Sequence, residues 1–476
     1  MKQFFIFFLI LSGCSLGPDH ETPTVWVPHQ FEEAPQEQEE MCLSLWWEQF
    51  HDKMLSELID EALSCNYDMN IALFKIEEFR ARYKIDRSFL YPQIQANFIE
   101  VRARRSGNVS EDVTLETGSA TDIPLNDFSG PPIINFYQLG FDASWEIDLW
   151  GKNRRRAEVG YRGFEASQED ALDIQISLIA DVAQTYIDIR SLQQQIRAIK
   201  EQINRRAELL ELTEVRYRAG LISHLDVAQA KARLDGSQAG LPRFEKQLKQ
   251  TLHGLAILLG KPPENFEIGI GEIPKAKGVI PNDLPSTLLC RRPDIRRADR
   301  ELAAQTSRIG VAIAGLFPSF SLIGDFGFQS NDISNFLVWP SRFWTIGPNM
   351  IWNLFTGGRL ITQIKVEKEI QKQAILKYEK TVIQSLQEVE DRLIGYFKEE
   401  SRLENLEEKL ASNSYILELT MDRYLAGLVP FDNVLEAEDT FYISEEEMIE
   451  SQGTLMVQLV GLYKALGGGW QCFDLP

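Results

Sequence analysis

Beyond its first residues the chain has no run of the eighteen or more uninterrupted apolar residues that a spanning helix needs, so any membrane crossing must be made by strands. Basic residues are outnumbered, 49 Lys and Arg against 70 Asp and Glu, and the net charge of −21 argues against nucleic acid or an anionic lipid surface as a partner, since both reward Lys and Arg. Histidine is scarce: His20, His29, His51, His224 and His253 lie far apart, without metal-ligand spacing and with no Ser or Cys nucleophile signature beside them. There is no phosphate-binding glycine loop, and Gly467-Gly468-Gly469 reads as a helix stop. The sequence therefore points to no catalytic residue, metal or cofactor, and to no energy-coupling site. Cysteine is sparse as well. Apart from Cys14 there are Cys42, Cys65, Cys290 and Cys472, an even number; a disulfide such as Cys42 to Cys472 and buried free thiols are both open.

The first fourteen residues hold one Lys (Lys2), a short apolar run from Phe4 to Leu11, and a Leu11-Ser12-Gly13-Cys14 ending. The run is too short for a stable spanning helix and reads as the core of a cleaved signal peptide. Small residues directly before a Cys resemble the lipobox of bacterial lipoproteins, which makes Cys14 the lipidation site; Ser15 rather than Asp after it favours, by the same resemblance, the outer membrane.

The remainder is written twice. Gly140 pairs with Gly347, Trp145 with Trp352, Arg216-Tyr217 with Arg423-Tyr424, Ala219-Gly220-Leu221 with Ala426-Gly427-Leu428, and Leu259-Gly260 with Leu466-Gly467, always 207 residues apart. Leu90-Tyr91-Pro92 matches Leu316-Phe317-Pro318 at 226, so the first half carries 19 extra residues in one loop. The expected organisation is a signal peptide (1–13), a lipid-anchored extended segment (14–46), a first repeat (47–261), a linker (262–282), a second repeat (283–468) and a tail (469–476). Each repeat is expected to contain two strands, a very long helix, a tight turn and a returning helix.

From Gln138 to Leu149, apolar Leu139, Phe141, Ala143, Trp145, Ile147 and Leu149 alternate with polar or small residues, the period of a strand with one apolar face. Strands are expected over about 92–104, 137–149, 318–328 and 343–354, each long enough to span a membrane; Pro348 is unusual in the last. Four strands cannot close a barrel, and lipid does not tolerate unpaired edges, so several protomers must pool theirs. A soluble sheet with its apolar face packed on helices would share the alternation. Against it, Trp145, Trp150, Trp344 and Trp352 at the strand ends look like an interfacial aromatic belt. Proline-free helical patterns run over 152–218 and 359–425, about 100 Å each at 1.5 Å per residue, with apolar stripes on two faces that suit a helical barrel. The returning helices, 223–260 and 430–467, are half as long and need the helices near 68–90 and 296–315 stacked on them. Gly236, Gly240 and Pro242 predict a kink or interruption in the first returning helix.

The Cys14-Ser15-Leu16-Gly17-Pro18-Asp19 start, the Arg292-Pro293-Asp294-Ile295 run, the Phe317-Pro318-Ser319 strand entry, and Arg216-Tyr217-Arg218-Ala219-Gly220-Leu221 followed by Leu225-Asp226-Val227 together resemble the outer membrane factor family, the TolC-like efflux ducts, in particular the NodT-like lipoprotein branch. The resemblance implies a mainly α protomer, internally duplicated, with a membrane β-barrel portion: a homotrimer forming a 12-stranded barrel continued by a periplasmic α-helical barrel. It implies a passive outer membrane exit duct for small molecules, with a periplasmic adaptor (membrane fusion protein) and an inner membrane pump of RND or ABC type as partners. The adaptor-docking tips would hold Arg216, Gly220, Leu221, Ser223, Asp226, Arg423, Gly427 and Leu428, and Asp432 and Glu436 would form the periplasmic gate. A type I protein-secretion duct and a trimeric structural surface lipoprotein are the alternatives.

Overall fold

The structure is a computed structural model and describes residues 15–31, 43–104, 114–115, 123–124, 133–276 and 285–470. The signal peptide, Cys14, Cys42 and Cys472 lie outside the described residues; Cys65 and Cys290 are free and exposed rather than buried. The chain folds as two compact units, each assembled from both halves of the repeat: the chain start to Glu21 with Arg80–Gly163 and Leu302–Gln373, and Thr22–Phe79 with Phe164–Glu301 and Ala374–Pro476.

The first unit carries an antiparallel sheet of four strands, β1 (Gln93–Arg104), β2 (Ile133–Ile147), β3 (Ser319–Ser330) and β4 (Arg342–Ile351), in that spatial order. Two further two-residue strands, Thr114–Leu115 and Ile123–Pro124, pair with each other in the long first loop. β2 starts four residues earlier than the alternation suggested, because consecutive Ile133 and Ile134 hide the period while their backbones pair with Arg104 and Ala103. β4 stops at Ile351, paired with Ser319; the next partner would be Pro318, which has no N–H to offer the ladder. Pro348 lies in β4, opposite Leu322, in the outermost strand of the protomer's own sheet.

Register puts one row of apolar side chains across the sheet: Ala96, Phe141, Phe326 and Trp344 are successive partners, and Phe98 opposes Leu139. On this face Phe98, Leu139, Phe141, Phe326 and Trp344 are exposed. On the other face Gln138 is buried and Gly140 and Gly327 lie side by side. The apolar face is thus the outward one, the reverse of a soluble half-buried sheet. No helix among the described residues is long and apolar enough to cross a membrane.

The second unit is helical: α1 (Lys53–Cys65), α2 (Tyr67–Ser88), α3 (Lys152–Arg218), α4 (His224–Leu258), α5 (Pro285–Arg291), α6 (Pro293–Ala314), α7 (Arg359–Leu425) and α8 (Phe431–Ala465), of which α2, α3, α6 and α7 have one end in the first unit. α3 and α7, at 67 residues each, have the bounds that their proline-free patterns gave. The core lies where the two stripes of α3 are both buried, at Leu178, Ile179, Val182, Ala183, Tyr186 and Ile189, against Leu459, Leu462 and Tyr463 of α8, while Asp181 and Asp188 keep one side of the helix exposed. A 3-10 turn, Leu43–Phe50, begins before residue 47 because Trp46, Trp47 and Phe50 enter this core; the Trp46 ring lies 5.3 Å from Tyr463. α4 is not interrupted: it runs unbroken through Gly236, Gly240 and Pro242. Pro242 forfeits one backbone bond, and at Gly240 a Cβ would lie only 3.2 Å from Ile199 of α3, so the small residue lets the helices approach.

Shorter helices are spliced end to end as expected, with repeat-equivalent residues doing the splicing. Asn66 accepts from the Met69 N–H at the start of α2 and donates to the Leu258 carbonyl at the end of α4, 2.9 Å away. Its equivalent, 226 residues on, is Arg292, which donates to the Ala465 carbonyl at the end of α8 (2.9 Å) and grips Asp294 in the first turn of α6 through two bonds (3.0 and 2.7 Å). A further bond to Glu388 (2.8 Å) ties the second splice to α7. The Arg-Pro-Asp run is therefore a helix joint.

The sheet makes a direct prediction. A Cβ on Gly327 would collide with the Leu139 carbonyl and the Gly140 backbone, whereas one on Gly347 meets nothing within 4 Å. Gly327→Ala is expected to reduce the heat-resistant, folded-barrel species on semi-native gels severely, and Gly347→Ala to leave it at the wild-type level.

Candidate functional site

The turns between α3 and α4 and between α7 and α8 are built alike. Gly220 (φ +70°) and Gly427 (φ +72°) take the left-handed conformation that glycine alone adopts without strain. The N–H groups of Leu221 and Leu428 then donate to the Arg216 and Arg423 carbonyls (3.0 and 2.9 Å), a Schellman cap at each helix end. Ser223 and Asp226 form a capping box that starts α4; α8 starts at Pro430 with no side-chain cap. Leu221, Leu225 and Leu428 project as exposed apolar side chains.

Equivalent tip residues do unequal work. Arg216 lies over the Tyr424 ring, 4.6 Å from its centre, and Tyr424 is buried against Phe431, whereas Arg423 and Tyr217 are exposed. Asp432 and Glu436, one turn apart, are both on the exposed face of α8, and Asp432 accepts from the Gln229 amide of α4 at 2.8 Å. The structure thus brings Asp432 to α4 and Arg216 to Tyr424.

Sequence reasoning missed the most connected group near the tips, Arg206 of α3. Its guanidinium donates to Asp439 of α8 (2.7 Å) and, on α4, to the Ser237 hydroxyl (2.7 Å) and the Arg233 carbonyl (3.1 Å). It also pairs with Glu438 at 3.5 Å and lies over the Tyr442 ring. Both Arg206 and Glu438 are buried. Burial pushes the Glu438 carboxyl up, with Arg206 opposing, and burial followed by Glu438 pushes the Tyr442 phenol up to about 12. The missed signal was a charge at a core position: Arg206 continues the Ile199-Ile203 stripe of α3, and Glu438 falls between Leu435 and Tyr442 in that of α8.

At the sheet base, repeat-equivalent Trp145 and Trp352 donate to equivalent carbonyls, Leu90 (3.0 Å) and Leu316 (3.1 Å). Trp150 donates to the Pro318 carbonyl (2.8 Å) with its ring 4.9 Å from Phe317, half buried, and Trp344 lies exposed near the other end of the strands. The residues after Cys14 are seated here too. The Leu16 N–H donates to the Trp150 carbonyl (3.1 Å), Arg155 pairs with Asp19 (2.6 Å), and Gly17 lies so close to Gly310 that a Cβ would come within 2.5 Å of its Cα. Among the described residues no three His, Cys, Asp or Glu side chains gather as a metal site.

The outer membrane efflux protein family model matches residues 58–261 and 284–468, the two repeats in turn. The chain belongs to this family. It is 30% identical to the toluene efflux pump outer membrane protein TtgC of Pseudomonas putida, over 97% of this chain and 94% of that protein. It is 28% identical to the probable outer membrane lipoprotein SilC of Salmonella typhimurium, over 97% of each. The CmeC outer membrane channel of Campylobacter jejuni superposes with a TM-score of 0.88 at 26% identity, over 97% of both chains. The chain is an outer membrane protein with the fold of these channels.

Arg206 generates the next prediction. Arg206→Ala strands the Glu438 carboxylate without its cation and should cost about 3–5 kcal/mol, read as a lowered thermal midpoint by circular dichroism. Glu438→Gln added to it should restore part of the loss; no recovery would mean that the charge pair is not what holds these helices.

Proposed function

We propose that three copies pool their strands into one 12-stranded barrel continued by a helical tunnel, the passive exit duct of a tripartite efflux system. The observation that carries this reading is the sheet: its apolar face is exposed, and β1 and β4 are its unpaired edges, in a protomer whose longest helices are 67 residues. Cys14 carries the lipid anchor, and the seating of Leu16, Gly17 and Asp19 beside Trp150 and Gly310 holds that anchor at the sheet base. Trp145, Trp150 and Trp352 at the base and Trp344 near the opposite end supply the aromatic belt. The chain works as a channel, not an enzyme: transport energy comes from an inner membrane pump of RND or ABC type, joined through a periplasmic adaptor.

The tips are the docking surface. Leu221 and Leu428 offer apolar contacts flanked by Arg216, Ser223, Asp226 and Arg423, on turns fixed by Gly220 and Gly427. Asp432 and Glu436 form the gate, where three copies crowd like charges around the axis and the Gln229 bond steadies Asp432. The matched relatives are efflux proteins, which favours small molecules over secreted proteins as cargo.

Photo-crosslinking in living cells from a probe at Ser223 or Val429, followed by mass spectrometry of the adducts, tests the assembly. Adaptor peptides are the expected adducts and name the pump class; self-adducts alone, or none, would replace the duct reading with that of a standalone surface lipoprotein.

A further inference from the structure

Above the tips, α3, α4 and α8 leave a cleft of about 340 Å³ between residues 195–206, 233–244 and 439–449. Ile199, Phe244 and Ile449 give it an apolar lining. Two polar groups in its wall lack partners among the described residues. Tyr442 is only 8% exposed, yet its hydroxyl makes no hydrogen bond. Glu445, three residues further along α8 and half buried, has no ion pair or hydrogen bond there. The two cations of the lining are committed elsewhere: Arg206 and Arg233 both grip Asp439, at 2.7 and 2.9 Å. Glu445 and the exposed Glu446 therefore make no direct pair with either of them, Arg205 of α3 offsets the Glu445 charge only in part, and the cleft combines negative charge with an apolar surface. The groups acting on Glu445 are Arg205 and Glu201 of α3, and burial outweighs Arg205, pushing its carboxyl up.

We propose that this cleft binds an organic cation with an apolar body, whose N–H groups donate to the Glu445 carboxylate while its hydrocarbon part lies against Phe244, Ile199 and Ile449. An anion would meet two unpaired carboxylates. A bare divalent ion finds one half-buried carboxylate and hydrocarbon, too few hard oxygens to replace its water. A planar amine satisfies the half-buried carboxylate and the apolar lining together. The site goes beyond the duct reading and needs neither adaptor nor gate: it lies within one protomer.

The test is proflavine, a tricyclic cation, titrated into the full-length protein in lipid nanodiscs and followed by fluorescence polarisation. Saturable binding is expected. Losing a charge-assisted hydrogen bond in a half-buried site corresponds to about tenfold weaker binding for Glu445→Gln. Tyr442→Phe, which removes a hydroxyl sealed behind the wall, should bind as the wild type does, and Ile443→Trp, which adds bulk to the lining of the cleft, should abolish binding even if the Glu445 variant folds poorly. Fluorescein, similar in size and negatively charged, should not bind. Unsaturable uptake equal in all variants, wild-type affinity in Glu445→Gln or in Ile443→Trp, or displacement of proflavine by equimolar Mg²⁺ would each overturn the assignment.

Discussion

The constraint on which the rest of the molecule depends is that lipid cannot hydrogen-bond a peptide group. A four-stranded sheet has two open edges, here along β1 and β4, and it turns its large apolar side chains outward. In water that arrangement would expose apolar surface and invite aggregation; in a bilayer the face is satisfied and only the edges remain. Closure by further copies removes them and at the same time makes the opposite face a lumen. Inside the sheet the same economy holds. Gly140 and Gly327 let β2 and β3 approach, and the Phe343 ring lies where their missing side chains would be, 3.4 and 2.9 Å from the two Cβ positions.

Length raises a second difficulty: α3 and α7 run for 67 residues, but α4 and α8, which return from their ends, run for 35. Each helix end leaves carbonyls and N–H groups without partners, so a joint between two helices must satisfy both ends. The halves solve this at the same position with different chemistry. Asn66 bridges its joint with one neutral amide. Arg292 needs Asp294 beside it to complete the start of α6, and in exchange its charge reaches Glu388 on α7. Duplication preserved the joint while the second half gained a tie that the first lacks.

Much of this was legible because the signals were periodic and long. The bounds of α3 and α7 follow from unbroken helical patterns, and the 207-residue offset aligned turns whose Schellman caps proved the same although the starts of α4 and α8 differ. What failed failed locally. Gly236, Gly240 and Pro242 predicted a kink or an interruption in α4; there is no interruption, because one lost backbone bond is small beside the packing of thirty-five helical residues. Ile133 and Ile134 concealed the start of β2 because pairing, not alternation, sets a strand's end. At the tips, the 207-residue offset pairs Arg216 with Arg423, yet Arg216 lies on the buried Tyr424 ring whereas Arg423 is exposed. Arg206 and Glu438 were overlooked because a single charge in an apolar stripe is visible only when its partner on another helix is known.

The acidic excess acquires meaning through α8, where residues advance by about 100° around the axis. Asp432 and Glu436 fall within about 40° of each other on the exposed side. Glu438, Tyr442 and Glu445 fall together on a different side, about 220° to 280° around from Asp432, and the burial pattern agrees: the first pair is exposed, whereas Glu438 and Tyr442 are buried and Glu445 half buried. One helix therefore presents two acidic surfaces with opposite relations to solvent. On the exposed side, charges that meet copies of themselves repel, and the repulsion is screened by salt. On the inner side, the low dielectric makes each carboxylate costly unless a cation answers it; Arg206 answers Glu438, and among the described residues no side chain pairs with Glu445. The sequence count of negative charge does not separate these cases, and only the helical phase of each carboxylate decides which physics it obeys.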